Sequence, residues 1–141
     1  MPIPKKFVEQ FIAKHPEAKI IMLPPDANGE PEEVIAEAYR ADDGSSSMAY
    51  SLISQSAPHY HAIARETFIL MKGALHLHKK SLNNEVESAS VLYADEGHYD
   101  IICKNTLHFA ECVGNPAEVM VVSVPAYNSA DCFWPDSELS I

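Results

Sequence analysis

Residues 59–73 read HYHAIARETFILMKG, and this stretch decides the fold because it places metal-binding side chains beside a β-prone run. His59 and His61 are two residues apart, so in an extended strand both imidazoles point to the same face. Glu66–Met71 has the composition of a second strand, which a short turn would separate from the first. Such a turn brings Glu66 back toward the two histidines.

A fourth metal ligand is expected further along the chain. His108 lies in the apolar run Leu107–Val113, which predicts a strand that could lie beside the first pair. The sequence therefore predicts one set of four ligands: His59, His61, Glu66 and His108.

The spacing of these residues resembles the first motif of the cupin superfamily, G-x5-H-x-H-x3,4-E-x6-G. His59, His61, Glu66 and Gly73 fall at the required positions, while Ile53 stands where the motif has its leading glycine. Four positions thus agree in both spacing and chemical type.

The second cupin motif, G-x5-P-x-G-x2-H-x3-N, is matched less fully. Gly97 and His108 keep the register, whereas Cys103, Asn105 and Cys112 replace the proline, the second glycine and the asparagine. Asparagine tolerates a positive φ, so Asn105 could serve the turn that the motif gives to glycine.

The resemblance implies an all-β fold, a cupin-type double-stranded β-helix (jelly-roll) barrel, over roughly residues 48–124. The ligand set predicts one divalent transition metal, with Fe, Mn, Ni, Zn and Cu not distinguished. Four protein ligands on an octahedral ion leave two positions for water or substrate, so dioxygenase, isomerase and lyase chemistry are all reachable. The alternative is a non-catalytic cupin that binds or senses a small molecule.

The chain reads as one domain with three parts. Residues 1–47 hold a short helix over Pro4–His15, a loop and edge strands; residues 48–124 form the barrel core; residues 125–141 are an irregular tail. Residues 32–41 have helical propensity but suit an edge strand of a barrel, and we favour the strand.

Composition limits the partners. The 141 residues are 47% hydrophobic, enough for one core, and carry a formal net charge of −10 with only ten Lys and Arg residues. This charge disfavours nucleic acid and anionic membranes, since phosphate binding needs clustered basic residues. A small-molecule ligand or substrate is the favoured partner.

Location and assembly are predicted from weaker features. The N-terminus does not resemble a secretory signal and the three cysteines do not suggest a disulfide framework, which together favour the cytoplasm. Exposed sheet edges and the apolar face of Pro4–His15 predict a homodimer, with that segment packed on a sheet of its own or the partner subunit.

Strand parity predicts the lining of a pocket around the metal. No proton-transfer residue can be assigned; Tyr50 and Cys112 are the possible ones, and Glu111 is out of phase. The predicted pocket-lining residues are Phe68, Leu70, Thr106, Ala110, Cys112 and Tyr50.

His76 and His78 form a second H-x-H pair. No acidic residue follows them at the distance seen in the first pair, and two lysines come next. A polar strand face or a subunit contact is therefore favoured over a second metal site.

Overall fold

The structure is a computed structural model that describes residues 1–25 and 29–135. One α-helix and seven strands are found in these ranges: α1 (Lys5–Lys14), β1 (Lys19–Leu23), β2 (Glu33–Arg40), β3 (Ser47–Ile53), β4 (Arg65–Ser81), β5 (Glu87–Tyr93), β6 (Tyr99–Ile102) and β7 (Thr106–Val124). Two short 3-10 helices, Ala94–Glu96 and Ser129–Asp131, complete them. The predicted all-β fold with a short N-terminal helix is confirmed. Within the described ranges, no helix has the length and apolar character needed to cross a membrane.

Two long strands, β4 and β7, form the frame of the barrel. They pair antiparallel along nearly their whole length, with register shifts between Leu70 and Ala74. Gly73 and Gly114 have φ values of 81° and 84° at the middle of the two strands. Positive φ favours glycine, and irregular pairing lets a strand bend, so each long strand can pass from one sheet to the other.

The two halves of these strands have different neighbours. The first half of β4 pairs with β6 and with the second half of β7, whose other edge carries β3, β2 and β1. The second half of β4 pairs with β5 and with the first half of β7. We call these the large sheet and the small sheet; together they make the jelly roll.

The segment before β4 joins the small sheet next to β7. Gln55 is bridged to Glu111, and His59 is bridged to His108 through two backbone hydrogen bonds of 2.9 and 3.1 Å. This pairing sets two predicted metal ligands opposite one another.

A packed apolar core fills one end of the space between the sheets. Leu75 and Leu77 of β4 are fully buried in it, because alternate residues of the strand face inward. The cluster comprises Ile53, Phe68, Leu70, Leu75, Leu77, Leu92, Ile102, Ala110, Ala117 and Val119.

Helix α1 covers the outer face of the large sheet. Val8 and Phe11, from the apolar face of the helix, pack against Val34, Ala36 and Leu52. The predicted helix is confirmed, and its apolar face lies on the sheet of its own chain.

Strand β2 settles the ambiguity of residues 32–41 in favour of the strand. Pairing with β1 and β3 on both edges overrides the helical propensity of the segment. Its parity turns Val34 and Ala36 toward α1, and Glu33 and Glu37 toward the inside of the barrel.

Asn105 adopts the left-handed conformation that the sequence predicted for it. Its φ is 57°, and its N–H donates a 2.6 Å hydrogen bond to the carbonyl of His61. The turn before β7 is thereby tied to the segment that carries the first two predicted ligands.

Candidate metal centre and cavity

The fold brings the four predicted metal ligands together. Glu66 comes from the start of β4, His108 from the start of β7, and His59 and His61 from the segment before β4. One potential ligand atom from each lies within 4.8 Å of the others, a group that could hold a metal ion. All but the half-buried His59 are buried. We call these residues the four-residue cluster.

Backbone carbonyls orient all three imidazole rings of the cluster. A carbonyl can only accept, so each Nδ1 carries the hydrogen and each Nε2 keeps a free lone pair. The Nδ1 contacts are His59 to Ala57 O (2.9 Å), His61 to Asp131 O (2.8 Å) and His108 to Thr106 O (2.9 Å).

The oriented lone pairs meet the Glu66 carboxylate. Its Oε1 lies 3.1 Å from Nε2 of His61 and 3.5 Å from Nε2 of His108. These three buried atoms have no hydrogen-bond partner of their own among the described residues. Lone pairs at such distances repel unless a proton or a cation lies between them. Neighbouring ligands at 2.0–2.2 Å from an octahedral metal lie about 3 Å apart, so the spacing fits a divalent ion.

The electrostatics of the cluster favour a cation. Burial alone raises the pKa of Glu66, but the positive charge and N–H groups that His108 and His61 carry when protonated outweigh it and hold the pKa well below its usual range. Burial, with His108, lowers the pKa of His59 to about 3. Burial also lowers the pKa of His61, but the nearby Glu66 and Asp131 raise it overall. His61 is thus the ring on which a proton competes with a metal ion.

Asp131 is a supporting residue that the sequence did not reveal. Its buried carboxylate accepts hydrogen bonds from the backbone N–H groups of Ala62, Ile63 and Ala64 at 2.8, 3.0 and 2.9 Å. These three residues form the turn between His61 and Glu66. Asp131 lies about 70 positions away, in the segment predicted as an irregular tail, so no local pattern marks it.

A cavity of about 400 Å³ adjoins the four-residue cluster. His59, His61 and Glu66 line it, and the concave face of the large sheet supplies most of the remaining wall. The apolar part of this wall includes Ile21, Ile35, Met48 and Val121. The cavity has the volume and the mixed lining of a small-molecule site.

The predicted pocket lining needs correction on β4 and β7. Phe68 belongs to the packed core and also lines the cavity, whereas Leu70 and Ala110 belong to the core without lining the cavity. Cys112 packs against the edge of that core, with its Sγ 3.4 Å from the Gly114 carbonyl. Strand parity predicts which side of a sheet a residue faces. It does not predict whether an inward-facing residue lies in the packed core or beside the cavity.

Thr106 and Tyr50 also lie outside the cavity wall. Thr106 is half-buried and contributes its carbonyl to the His108 ring. Tyr50 faces the helix side of the large sheet, where its ring stacks on His15 at 4.7 Å. Its neighbour Ser51 faces the cavity instead, since adjacent strand residues point to opposite faces.

Glu33 is the proton-transfer candidate that the sequence reading missed. Its carboxyl lines the cavity from β2 and keeps some exposure there, although protein atoms surround it densely. Burial and the negative charge of Glu66 raise its pKa to about 7, against a hydrogen bond from Ser51 that lowers it. Glu33 was missed because the sequence reading placed β2 outside the barrel core.

The C-terminal segment completes the site. Trp134 and Tyr127 line the cavity, and the Trp134 ring lies 4.7 Å from the His59 ring. Burial and the charge of Glu66 raise the pKa of Cys132 to about 12, so this cavity thiol stays protonated at neutral pH. Residues 136–141 of the predicted tail lie outside the described residues.

Comparisons with known proteins place the fold. No family model matches the chain, and no curated protein matches it. Among solved structures, the capsular polysaccharide assembling protein CapF from Staphylococcus aureus aligns with a TM-score of 0.66 at 15% identity. That alignment covers 84% of this chain and 35% of CapF, so the chain spans about a third of that neighbour.

Two smaller neighbours align over most of their own length. Pac13, described as a unique nucleoside dehydratase, has a TM-score of 0.65 at 14% identity, covering 90% of this chain and 95% of that one. KdgF from Halomonas sp. has a TM-score of 0.63 at 12% identity, covering 81% and 92%. CapF, Pac13 and KdgF are cupin-fold proteins, and the likeness establishes a cupin-type jelly roll for this chain.

Proposed function

We propose that this protein is a metal-dependent cupin enzyme that acts on a small oxygenated metabolite. The observation that carries the proposal is the orientation of three imidazoles by backbone carbonyls, which leaves their Nε2 lone pairs free. The Nε2 atoms of His61 and His108 lie against the buried Glu66 carboxylate without hydrogen-bond partners. A chain gains nothing for stability from such an arrangement by itself, because buried polar atoms without partners are costly.

The four-residue cluster would hold one divalent ion through three imidazole nitrogens and one carboxylate oxygen. Fe, Mn, Ni, Zn and Cu all accept such mixed ligands. When bound there, such an ion would act as a Lewis acid and polarise a carbonyl or hydroxyl oxygen of the substrate. The chain itself orients the ligands through Ala57, Thr106 and Asp131.

Glu33 gives the cavity a candidate proton-transfer group, which isomerase and lyase reactions use. A carboxyl with a pKa of about 7 can both take up and give back a proton at neutral pH, as a general acid–base catalyst must. The group lies in the same cavity as Glu66, with Ser51 beside it. We assign Glu33 the proton transfer and Ser51 a positioning role.

The cavity suits a metabolite with several oxygen atoms. Its inner wall is largely apolar, while Lys19, Glu37 and Arg40 line it from exposed positions and can bind polar groups of a substrate. Its volume of about 400 Å³ lies within the usual range for small-molecule sites. Structures of Pac13 contain uridine, so nucleosides belong among the probes for this chain.

The decisive experiment begins with metal analysis of protein purified without added metal. The protein is then loaded with the identified ion and screened for isomerisation, dehydration and oxygen consumption on sugars, nucleosides and keto acids. His61→Ala serves as the metal-site variant and His98→Ala as the matched control. Metal binding in His61→Ala as tight as in the parent would refute the ligand assignment.

Turnover separates an enzyme from a sensing protein. If the loaded protein binds a metabolite but never converts it, the non-catalytic cupin is the correct reading. We propose a cytoplasmic location, with which the free thiols of Cys103, Cys112 and Cys132 are compatible.

A further inference from the structure

We propose that His76, His78 and Glu111 form a second divalent metal site, on the outer face of the small sheet. The site suits Zn²⁺ or Cu²⁺, which accept imidazole nitrogen together with carboxylate oxygen. It is independent of the four-residue cluster and of the proposed enzymatic function.

Strand geometry places the three side chains on one face. Leu75 and Leu77 of β4 point into the core, so the alternate residues His76 and His78 point outward. Glu111 of β7 is the direct partner of His76 in the strand register and the diagonal neighbour of His78. Side chains on such adjacent positions are close enough to share one ion.

The distances fit metal ligation better than hydrogen bonding. Oε1 of Glu111 lies 3.6 Å from Nδ1 of His76 and 3.4 Å from Nε2 of His78. The His78 contact is a long hydrogen bond at most, and both distances exceed the 2.7–3.2 Å of ordinary N–H···O hydrogen bonds. Ligands at 2.0–2.1 Å around a tetrahedral Zn²⁺ lie about 3.4 Å apart, which matches the two contacts.

The two imidazole rings of the site are also close to each other. One potential ligand atom from each of the three residues lies within 4.8 Å of the others, and the two imidazole centroids are 4.0 Å apart. His76 is half-buried and Glu111 is exposed, so both can adjust around an ion.

His78 provides the fixed point of the site. Its ring is 5% exposed and stacks on Phe109 with centroids 4.4 Å apart and planes at 13°. A ring held in this way loses little conformational entropy on binding an ion. Solvent reaches the site from the Glu111 side, so water or a donor from another molecule can complete the coordination.

The sequence hid this site because the carboxylate is not local. In the first H-x-H pair the acid follows five residues after the second histidine, whereas Glu111 is 33 residues beyond His78 and arrives through the β4–β7 pairing. Alternate residues of β7 face opposite sides of the sheet. Glu111 therefore points away from the four-residue cluster and toward the side that carries His76.

The test is a zinc titration of the chelator-treated chain by isothermal calorimetry, with stoichiometry checked by elemental analysis. The variants are Glu111→Gln and His76→Asn, both at positions that tolerate polar substitution, with Asp95→Asn as an exposed control. Circular dichroism verifies that each variant folds. We expect two zinc ions per chain in the parent and the control, and one in each site variant.

Combination with His61→Ala separates this inference from the proposed function. The single variant His61→Ala should keep the outer-site ion, and the double variant with Glu111→Gln should bind none. If the parent binds one ion that Glu111→Gln removes and His61→Ala leaves, the outer site stands and the four-residue cluster fails for zinc. Zinc stoichiometry and affinity unchanged in both Glu111→Gln and His76→Asn would overturn the inference.

Discussion

The Nδ1–H group of His61 donates a 2.8 Å hydrogen bond to the backbone carbonyl of Asp131, whose own carboxylate holds the turn that follows His61. One residue therefore fixes both the ring of a predicted ligand and the turn that leads to Glu66. The C-terminal segment is part of the site for this reason.

Replacing Asp131 tests that relationship. In Asp131→Asn the negative charge that accepts three N–H groups is lost, and we expect the free energy of unfolding to fall by about 1–3 kcal/mol. Metal affinity should fall by roughly 10- to 100-fold, as for other outer-shell groups, because the carboxylate holds the turn that sets His61 relative to Glu66. Urea denaturation and metal titration measure the two effects. The exposed Asp42→Asn is the control, and equal affinity in parent and Asp131→Asn would contradict the assignment.

Glu33 predicts a pH dependence of stability in the chelator-treated protein. The folded carboxyl keeps its proton up to a pH of about 7, whereas the carboxyl of the unfolded chain releases it near the ordinary glutamate pKa of 4.5. Between these values the folded state binds more protons, so its stability falls as pH rises. The stability that the Glu33 carboxyl contributes is fully present below pH 4.5 and is lost above a pH of about 7.

Glu33→Gln removes this titration. The variant should gain on the parent by about 2–3 kcal/mol in unfolding free energy between pH 5 and pH 8, an order of magnitude set by the size of the pKa shift. Urea denaturation across this range gives the two curves. Parallel curves would show that the carboxyl ionises normally in the folded state.

Glu33→Gln also separates proton transfer from metal binding. We expect kcat to fall by about 10²- to 10⁴-fold, the usual effect of losing a general acid–base group. Metal content should stay at the parent value, because Glu33 lies outside the four-residue cluster. Glu30→Gln, at an exposed position before β2 and outside the cavity wall, is the control. Full turnover in Glu33→Gln would move the proton-transfer role elsewhere.

Helix α1 predicts a separation of folding from assembly. Phe11 is 1% exposed against the sheet of its own chain, so Phe11→Ala should cost about 3–5 kcal/mol of stability. Because the apolar face of α1 is already covered, the association state of the folded variant should equal that of the parent. Sedimentation measures the association state, and we expect a homodimer for both proteins. A parent chain that is monomeric at micromolar concentration would refute the dimer. A monomeric variant from a dimeric parent would place α1 in the interface.

Several features of the fold and of the candidate site follow from local sequence patterns. The spacing of His59, His61 and Glu66 predicted a shared site, and the positive φ of Asn105 followed from its place in the second motif. The apolar face of Pro4–His15 predicted α1. Each of these features depends on residues a few positions apart, whose geometry a helix or strand fixes by its period.

Positions that depend on contacts between distant parts of the chain could not be predicted from local patterns. Tyr50 was placed in the cavity, although its strand turns it toward α1, and Glu33 was overlooked on a strand with helical propensity. Parity alone cannot tell the packed core from the cavity, so Leu70 and Ala110 were assigned to the wrong part of the interior.

The sequence by itself determined the ligand types, their alternation on a strand, the all-β class and the acidic surface charge, since these follow from side-chain chemistry and short-range period. Only the tertiary structure decided that Asp131 supports His61 and that Glu111 meets His76. Those contacts depend on the register of strands and on the docking of the C-terminal segment. Burial of the whole core determines the register and the docking. This burial is a property of the folded chain, so no short segment of the sequence specifies it.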